Sequence, residues 1–231
     1  MKTNSEVAVD FGDIEKIINY RFNDKELLVT AFTHSSYANE HKRATDYERL
    51  EFLGDAVLGY IVGKRLFGFY PSAKEGELTK RRAALVSADT LSEIIDEYGL
   101  IGYMRVGTGN AHEDVLRSEN VKCDLFEAIV GAIVLDNGGS FVQAEKFIWE
   151  KMEKYLSRPC VDYKSKTLEY CAKRKLKCVI DTREIDGKEK SFASAVYLEG
   201  EKVAEGKGRN KHSAERVACR SFYENIVEKE A

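Results

Sequence analysis

Five carboxylates in this chain stand where a folded protein has to account for them. The run Tyr47-Glu-Arg-Leu-Glu-Phe-Leu-Gly-Asp-Ala-Val-Leu58 spaces Glu48, Glu51 and Asp55 at i, i+3 and i+7. On a helix of about 100° per residue they lie within about 60° of one another, on one face. Leu50, Phe52, Leu53, Val57 and Leu58 make most of the remaining circumference apolar, so the acidic stripe borders the interior. A second pair, Asp124 and Glu127, again three apart, heads the most apolar stretch of the chain, Leu125 to Leu135. Like charges gathered in half-buried surroundings repel one another and are costly to desolvate unless a cation neutralises them. Oxygen ligands favour a hard cation, Mg²⁺ above all, which also accepts phosphate oxygens from a substrate. Taken singly, each acid reads as an exposed helix-face charge or a partner of a helix N-terminus; two matched clusters favour the metal. The pattern leaves open what the metal does. Gly54, Gly59 and Gly63 interrupt the first acidic helix at about 1 kcal/mol each relative to alanine, which makes sense where another backbone or a ligand comes close.

The elements that must hold these acids follow from hydrophobic periodicity. Apolar residues at three- and four-residue spacing predict helices over Ile14–Tyr20, Glu26–Phe32, Tyr47–Phe67, Leu78–Tyr98, Leu125–Leu135 and Phe141–Tyr155, an all-α first domain over residues 1–158. The character changes after Leu156-Ser-Arg-Pro159-Cys. Residues 1–160 carry 26 acidic against 20 basic side chains, and residues 161–231 carry 13 against 16. The second domain, residues 161–231, reads as α+β: a helix Ser165–Leu176, strands Cys178–Ile185, Phe192–Leu198 and Lys202–Gly208, then a helix Lys211–Val227. Glu199-Gly200-Glu201 marks a tight hairpin between the last two strands. The order is α-β-β-β-α. A mildly basic domain joined to an acidic one suggests that the second approaches a polyanion while the first concentrates negative charge for another purpose.

Composition narrows the class. The chain has 231 residues, a formal net charge of −3, 43% hydrophobic and 32% charged residues, which excludes disordered, collagen-like and disulfide-scaffold proteins. Five cysteines form no C-x-x-C pair; they read as reduced thiols, with Cys123 and Cys219 buried among apolar neighbours. Four histidines are too few for a His-rich transition-metal site. The start, Met-Lys-Thr-Asn-Ser-Glu, has no apolar leader, and no stretch approaches the roughly 18 apolar residues of a membrane span. A cytosolic location without membrane attachment is expected.

The stretch Glu48-Arg-Leu-Glu-Phe-Leu-Gly-Asp-Ala-Val-Leu58 resembles the signature of the ribonuclease III family, in its bacterial form of one nuclease domain and one double-stranded RNA-binding domain. Further blocks fall in the family's order: Ala31-Phe-Thr-His-Ser-Ser-Tyr-Ala-Asn-Glu40, Glu75-Gly-Glu-Leu-Thr with Arg82-Ala-Ala-Leu-Val86, and Asp124-Leu-Phe-Glu-Ala-Ile-Val-Gly-Ala-Ile-Val-Leu-Asp136. The resemblance implies Glu51, Asp124 and Glu127 as magnesium ligands, Asp55 with Glu127 as catalytic carboxylates, and Glu48 and Glu75 as flanking acids. It implies hydrolysis of phosphodiesters in double-stranded RNA, leaving 5′-phosphate and 3′-hydroxyl ends, in tasks such as ribosomal RNA precursor maturation and messenger RNA processing. It also implies a homodimer, with Phe52 at the position that plugs into the partner, against the plainer reading of an ordinary core Phe. For His34 the plainer reading, a hydrogen-bonded packing histidine, is preferred to catalysis. Lys80-Arg-Arg82 reads equally as a phosphate contact or a solvated helix face.

Residues 161–228 resemble the double-stranded RNA-binding domain. Gly206-Lys-Gly-Arg-Asn-Lys211-His-Ser-Ala-Glu215 enters the last helix, and Asp162-Tyr-Lys-Ser165 opens the first. The likeness implies Asn210, Lys211 and His212 at phosphates across the major groove and Glu169 toward a minor-groove 2′-hydroxyl. This sequence departs from the pattern at Leu168 in place of a polar residue, at His212 in place of a second lysine, and at Asp186-Gly-Lys-Glu-Lys190 in place of the usual minor-groove loop. Two other readings compete. A non-catalytic double-stranded-RNA-binding dimer is opposed by acids intact at all six positions. An all-α, Mg²⁺-dependent nucleotide pyrophosphatase has no need of the second domain.

Overall fold

The computed structural model describes residues 11–109, 112–157, 162–185, 191–208 and 210–227. The chain divides into two compact units, Met1–Arg158 and Pro159–Ala231. The 186–190 loop, a departure from the family pattern in the second domain, lies outside the described residues.

The first unit is helical, as the periodicity predicts: α1 Phe11–Ile18, α2 Lys25–Ala31, α3 Ser35–Glu40, α4 Glu48–Phe69, α5 Glu75–Leu85, α6 Ala88–Glu97, α7 His112–Arg117, α8 Glu119–Asp136 and α9 Val142–Met152. Leu125, Phe126, Ala128, Ile129, Val130, Ala132, Ile133 and Val134 of α8 are all buried. A helix apolar on every side belongs at the centre of a unit, and α8 packs against α4, α6, α2 and α9. The single helix expected over Leu78–Tyr98 is two, α5 and α6. Ser87 ends the first run by capping the second, its side chain accepting from the Thr90 backbone N–H, and a serine at that point favours a cap over continued helix. Helices α3 and α7 are too short to leave a periodic signal. His34 caps α3, its Nδ1 accepting from the Ser36 N–H at 3.1 Å, which is the packing role preferred above.

The far end of α8 is tied to the amino-terminal helices by one carboxylate. Asp136 accepts from the Tyr20 hydroxyl at 2.7 Å and from the backbone N–H groups of Asn23 at 3.0 Å and Asp24 at 2.7 Å. Burial pushes the Asp136 carboxyl up, but these hydrogen bonds outweigh it and hold the group below its ordinary value. A carboxylate held low contributes stability that is fully present above the unfolded value of about 3.9 and is lost as pH falls through the lower folded value. Asp136→Asn should therefore cost about 1–3 kcal/mol at neutral pH. In urea unfolding, the gap between wild type and variant should close as the medium becomes strongly acidic; a gap independent of pH would contradict the tie.

The second unit follows the expected order: α10 Tyr163–Lys173, strands β1 Cys178–Ile185, β2 Ser191–Leu198 and β3 Glu201–Gly208, and α11 Lys211–Phe222, which runs on into a wider turn over Tyr223–Val227. The three strands form an antiparallel sheet in the order β1-β2-β3. Glu199 at φ 51° and Gly200 at φ 91° make the two-residue turn between β2 and β3, the positive-φ pair that matches the twist of a hairpin. Phe192, Ser194 and Val196 alternate inward from β2, and α10 and α11 cover that face. Among the described residues no helix is long and apolar enough to cross a membrane.

Candidate active site

The two acidic helices are brought together by two glycines. A Cβ on Gly54 of α4 would stand 1.8 Å from the Glu127 carbonyl oxygen, and one on Gly131 of α8 would stand 2.2 Å from the Leu50 carbonyl oxygen. Each glycine therefore receives the backbone of the opposite helix, and α4 and α8 meet backbone to backbone along the segments that carry the carboxylates. Gly54 lies between Glu51 and Asp55, and Gly131 lies one turn beyond Glu127. Of the other two glycines singled out in the sequence, Gly59 faces open space, and a Cβ on Gly63 would meet only the Arg82 side chain, at 3.8 Å. The close approach expected from all three is the property of Gly54.

On α8, Glu127 is 2% exposed and Asp124 is half-buried. Their carboxylates share a compact group with the thiol of Cys123, the ligand atoms all lying within 4.8 Å of one another. Cys123 Sγ donates to Glu127 Oε1 at 3.8 Å. Among the described residues this is the one group of three carboxylate, thiol or imidazole side chains close enough to hold a single ion. Glu51 is half-buried on the facing helix, while Glu48 and Asp55 are exposed on the same stripe. Glu75 opens α5, which packs on α4, and its exposed carboxylate accepts from Thr79 Oγ1 at 2.9 Å. Of the expected ligands Glu51, Asp124 and Glu127, the compact group holds the two on α8 and not Glu51; two oxygen donors in reach of one cation fit a divalent metal.

The sequence leads one to expect Cys123 among apolar neighbours. It is fully buried, yet its sulfur faces a carboxylate. The signal is present in the sequence, since Cys123 and Glu127 are four apart on a helix and such pairs meet on one face.

Phe52 is not a core residue in the single chain. It is 81% exposed, and Tyr60 at 58% and Phe67 at 75% share its side of α4. Positions 52, 60 and 67 lie within about 80° on a helix of 100° per residue. Tyr60 meets Phe141, 41% exposed, with ring centroids 5.7 Å apart. Of the basic run, Arg81 pairs with Glu77 at 2.8 Å and stacks over Tyr70 at 4.1 Å, a structural use, while Lys80 and Arg82 are exposed.

In the second unit Asn210 caps α11, accepting from the Ser213 N–H at 2.8 Å in a reciprocal capping box. Lys211 and His212 are exposed in its first turn, and Glu169 is exposed on α10 next to Leu168. Gly206 and Gly208 let β3 lie directly under α11: a Cβ on the first would meet Ala218 N at 2.4 Å, and one on the second Ser213 Oγ at 2.1 Å. The sheet thus fixes the helix end that presents Lys211 and His212.

Comparison with known proteins agrees with this architecture unit by unit. Residues 24–156 match the family described as Ribonuclease-III-like, and residues 163–226 match the double-stranded RNA binding motif. Ribonuclease 3 of Leptospira interrogans serovar copenhageni is 36% identical over 235 residues, covering 98% of this chain and 94% of that protein. Ribonuclease 3 of Lactiplantibacillus plantarum is 37% identical over 216 residues, covering 90% of this chain and 93% of that protein. The crystal structure of the nuclease domain of ribonuclease III from Campylobacter jejuni superposes with a TM-score of 0.57 at 35% identity, over 66% of this chain and 99% of that one. A second structure of that domain, with a TM-score of 0.56 at 34% identity over 62% of this chain and 99% of that one, is described as flexible in the region involved in dimer formation. With matches that run through both units and the acidic helices packed as described, the chain belongs to the ribonuclease III family, as a helical nuclease domain followed by a double-stranded RNA-binding domain.

Proposed function

We propose that the chain is an endoribonuclease that hydrolyses phosphodiesters of double-stranded RNA with the help of Mg²⁺, leaving 5′-phosphate and 3′-hydroxyl ends. The observation that carries this reading is the acidic group on α8, locked against the acidic stripe of α4 by Gly54 and Gly131. Glu51, Asp124 and Glu127 would hold the ion. When bound, Mg²⁺ lowers the pKa of a water and neutralises charge on the phosphate and the leaving 3′-oxygen. The chain's own share is rigidity: carboxylates fixed on two interlocked helices need no rearrangement when substrate arrives. Asp55, exposed on the same face as Glu51, would orient the attacking water, and Glu48 and Glu75 would keep the surroundings acidic. Lys211 and His212, with the N-terminus of α11, would meet phosphates, and Glu169 would face a 2′-hydroxyl, so that the second unit contributes affinity and the first contributes chemistry. The two modules would be residues 1–158 and 161–231, acting in the cytoplasm on structured precursors such as those of ribosomal and messenger RNA. The four described cysteines are free thiols, which fits a reducing compartment. End-group analysis tests the chemistry: products of a long duplex should become substrates for 3′-end ligation without phosphatase treatment, and single-stranded RNA of the same sequence should survive. Products with 3′-phosphates, or equal attack on single strands, would contradict it.

The working unit we propose is a homodimer, supported by the exposed aromatic row Phe52, Tyr60 and Phe67 on α4. Large aromatic side chains left exposed along one side of a helix point to an interaction surface, and a two-fold axis is the simplest way to offer one acidic group to each strand of a duplex. The full chain should sediment as a dimer at micromolar concentration. Phe52→Asp should weaken the dimer by roughly a hundredfold or more, the size of an aromatic anchor at an interface centre. A wild-type monomer at that concentration would overturn the dimer.

A further inference from the structure

Cys123 is the part of the site for which an all-oxygen metal centre has no use. It lies one turn before Glu127, fully buried, with Sγ 3.8 Å from Glu127 Oε1. With Asp124 it forms a group whose ligand atoms lie within 4.8 Å of one another. A tetrahedral zinc-class ion has bonds of about 2.3 Å to sulfur and about 2.1 Å to carboxylate oxygen, which sets those two ligands about 3.6 Å apart. The Cys123–Glu127 spacing matches that bite with little movement. Octahedral Mg²⁺, with bonds of about 2.1 Å, sets neighbouring oxygens about 3 Å apart and does not favour sulfur.

We infer that the site also takes a thiophilic divalent cation of the zinc class, through Cys123 Sγ and the carboxylates of Asp124 and Glu127, in competition with Mg²⁺. The inference rests on the reading of Asp124 and Glu127 as metal ligands and adds to it a cation class and a ligand. Coordination exchanges the S–H bond for a metal–sulfur bond: the thiol and M²⁺ give a metal-bound thiolate and one proton, which passes to the buffer. No electron is transferred. The softer ion gains a sulfur ligand that Mg²⁺ does not exploit, so it should hold the site at concentrations well below those of Mg²⁺. It occupies the two carboxylates that cleavage requires, so RNA cutting should fall as its occupancy rises.

Cadmium is the probe, because bonding to a thiolate adds an ultraviolet charge-transfer band that carboxylates do not give. Full-length wild type, Cys123→Ser and Cys123→Ala are titrated with Cd²⁺, the serine variant keeping the size of the side chain in case alanine disturbs packing. Cys160, Cys171, Cys178 and Cys219 are common to all three proteins and cancel in the difference. The expected result is an extra thiolate band in wild type that saturates at one Cd²⁺ and is displaced by excess Mg²⁺. Affinity for that site should fall by on the order of tenfold or more in both variants. Identical titrations of wild type and Cys123→Ser overturn the inference. Binding of Mn²⁺, followed in parallel by electron paramagnetic resonance, separates the two failures. If Glu127→Gln weakens Mn²⁺ binding while Cys123 contributes no cadmium band, only the zinc-class inference falls. If Glu127→Gln leaves Mn²⁺ binding unchanged, the metal-site reading falls, and the inference with it.

Discussion

Glu127→Gln should abolish cleavage of duplex RNA while leaving duplex binding close to wild type. The amide keeps the shape of the side chain and removes the charge that the site offers to a cation. Glu127 is 2% exposed and shares its surroundings with Asp124, so little water is at hand to replace it. A loss on the order of a thousandfold in single-turnover rate is expected, equivalent to about 4 kcal/mol of transition-state stabilisation. Binding measured without divalent metal should change by no more than about twofold, because phosphate contacts rather than the acidic group supply affinity. The variant should unfold no more easily than wild type, since the amide keeps the size of the side chain and an oxygen that can accept from Cys123 Sγ. Wild-type turnover in saturating Mg²⁺ would remove Glu127 from the chemistry.

The second large effect is structural. Gly54→Val places side-chain carbon where the Glu127 carbonyl already stands, 1.8 Å from the ideal Cβ position. The obstacle is backbone on both sides, so no rotamer relieves it and α4 must separate from α8 along the length that aligns the acids. Destabilisation by about 3 kcal/mol or more is expected, at the upper end of single substitutions, and whatever folded protein remains should cut RNA poorly. Gly68→Ala is the control. Gly68 lies exposed near the end of the same helix, where an added Cβ would meet nothing within 4 Å, and the substitution should stabilise by up to about 1 kcal/mol. Thermal unfolding of the two variants checks both; a Gly54→Val protein as stable as wild type would mean that the helices do not approach as described.

Much of this site is legible in the sequence alone, because carboxylates on an apolar helix are an expensive arrangement that local pattern exposes. Spacing places Glu48, Glu51 and Asp55, and separately Asp124 and Glu127, on helices. That the two helices touch is carried only by the family resemblance. Nothing in periodicity separates Gly54, which receives a carbonyl, from Gly59, which faces open space, since that difference depends on the rotation of α4 about its axis. The break at Ser87 is hidden by apolar residues that continue on both sides of it, where local capping wins over a longer amphipathic pattern. The exposure of Phe52 also needs the fold: the partner contact comes from the family resemblance, while an aromatic residue beside Leu53 and Leu50 has a core reading as well. In the second unit the alternation in β2 and the Glu199-Gly200 turn are strong enough to give strand bounds within a residue of those found.

On the proposed reading, the α8 acidic group packed against α4, with a divalent ion, cuts double-stranded RNA. The most direct test is a time course of purified full-length protein on a long, perfectly paired, end-labelled RNA, run with Mg²⁺ and with a chelator in its place. Mg²⁺ should convert the substrate to short products that remain double-stranded, and the chelator should stop conversion while the RNA stays bound. Cleavage that proceeds unchanged in chelator, or a long duplex left intact in Mg²⁺, would contradict it.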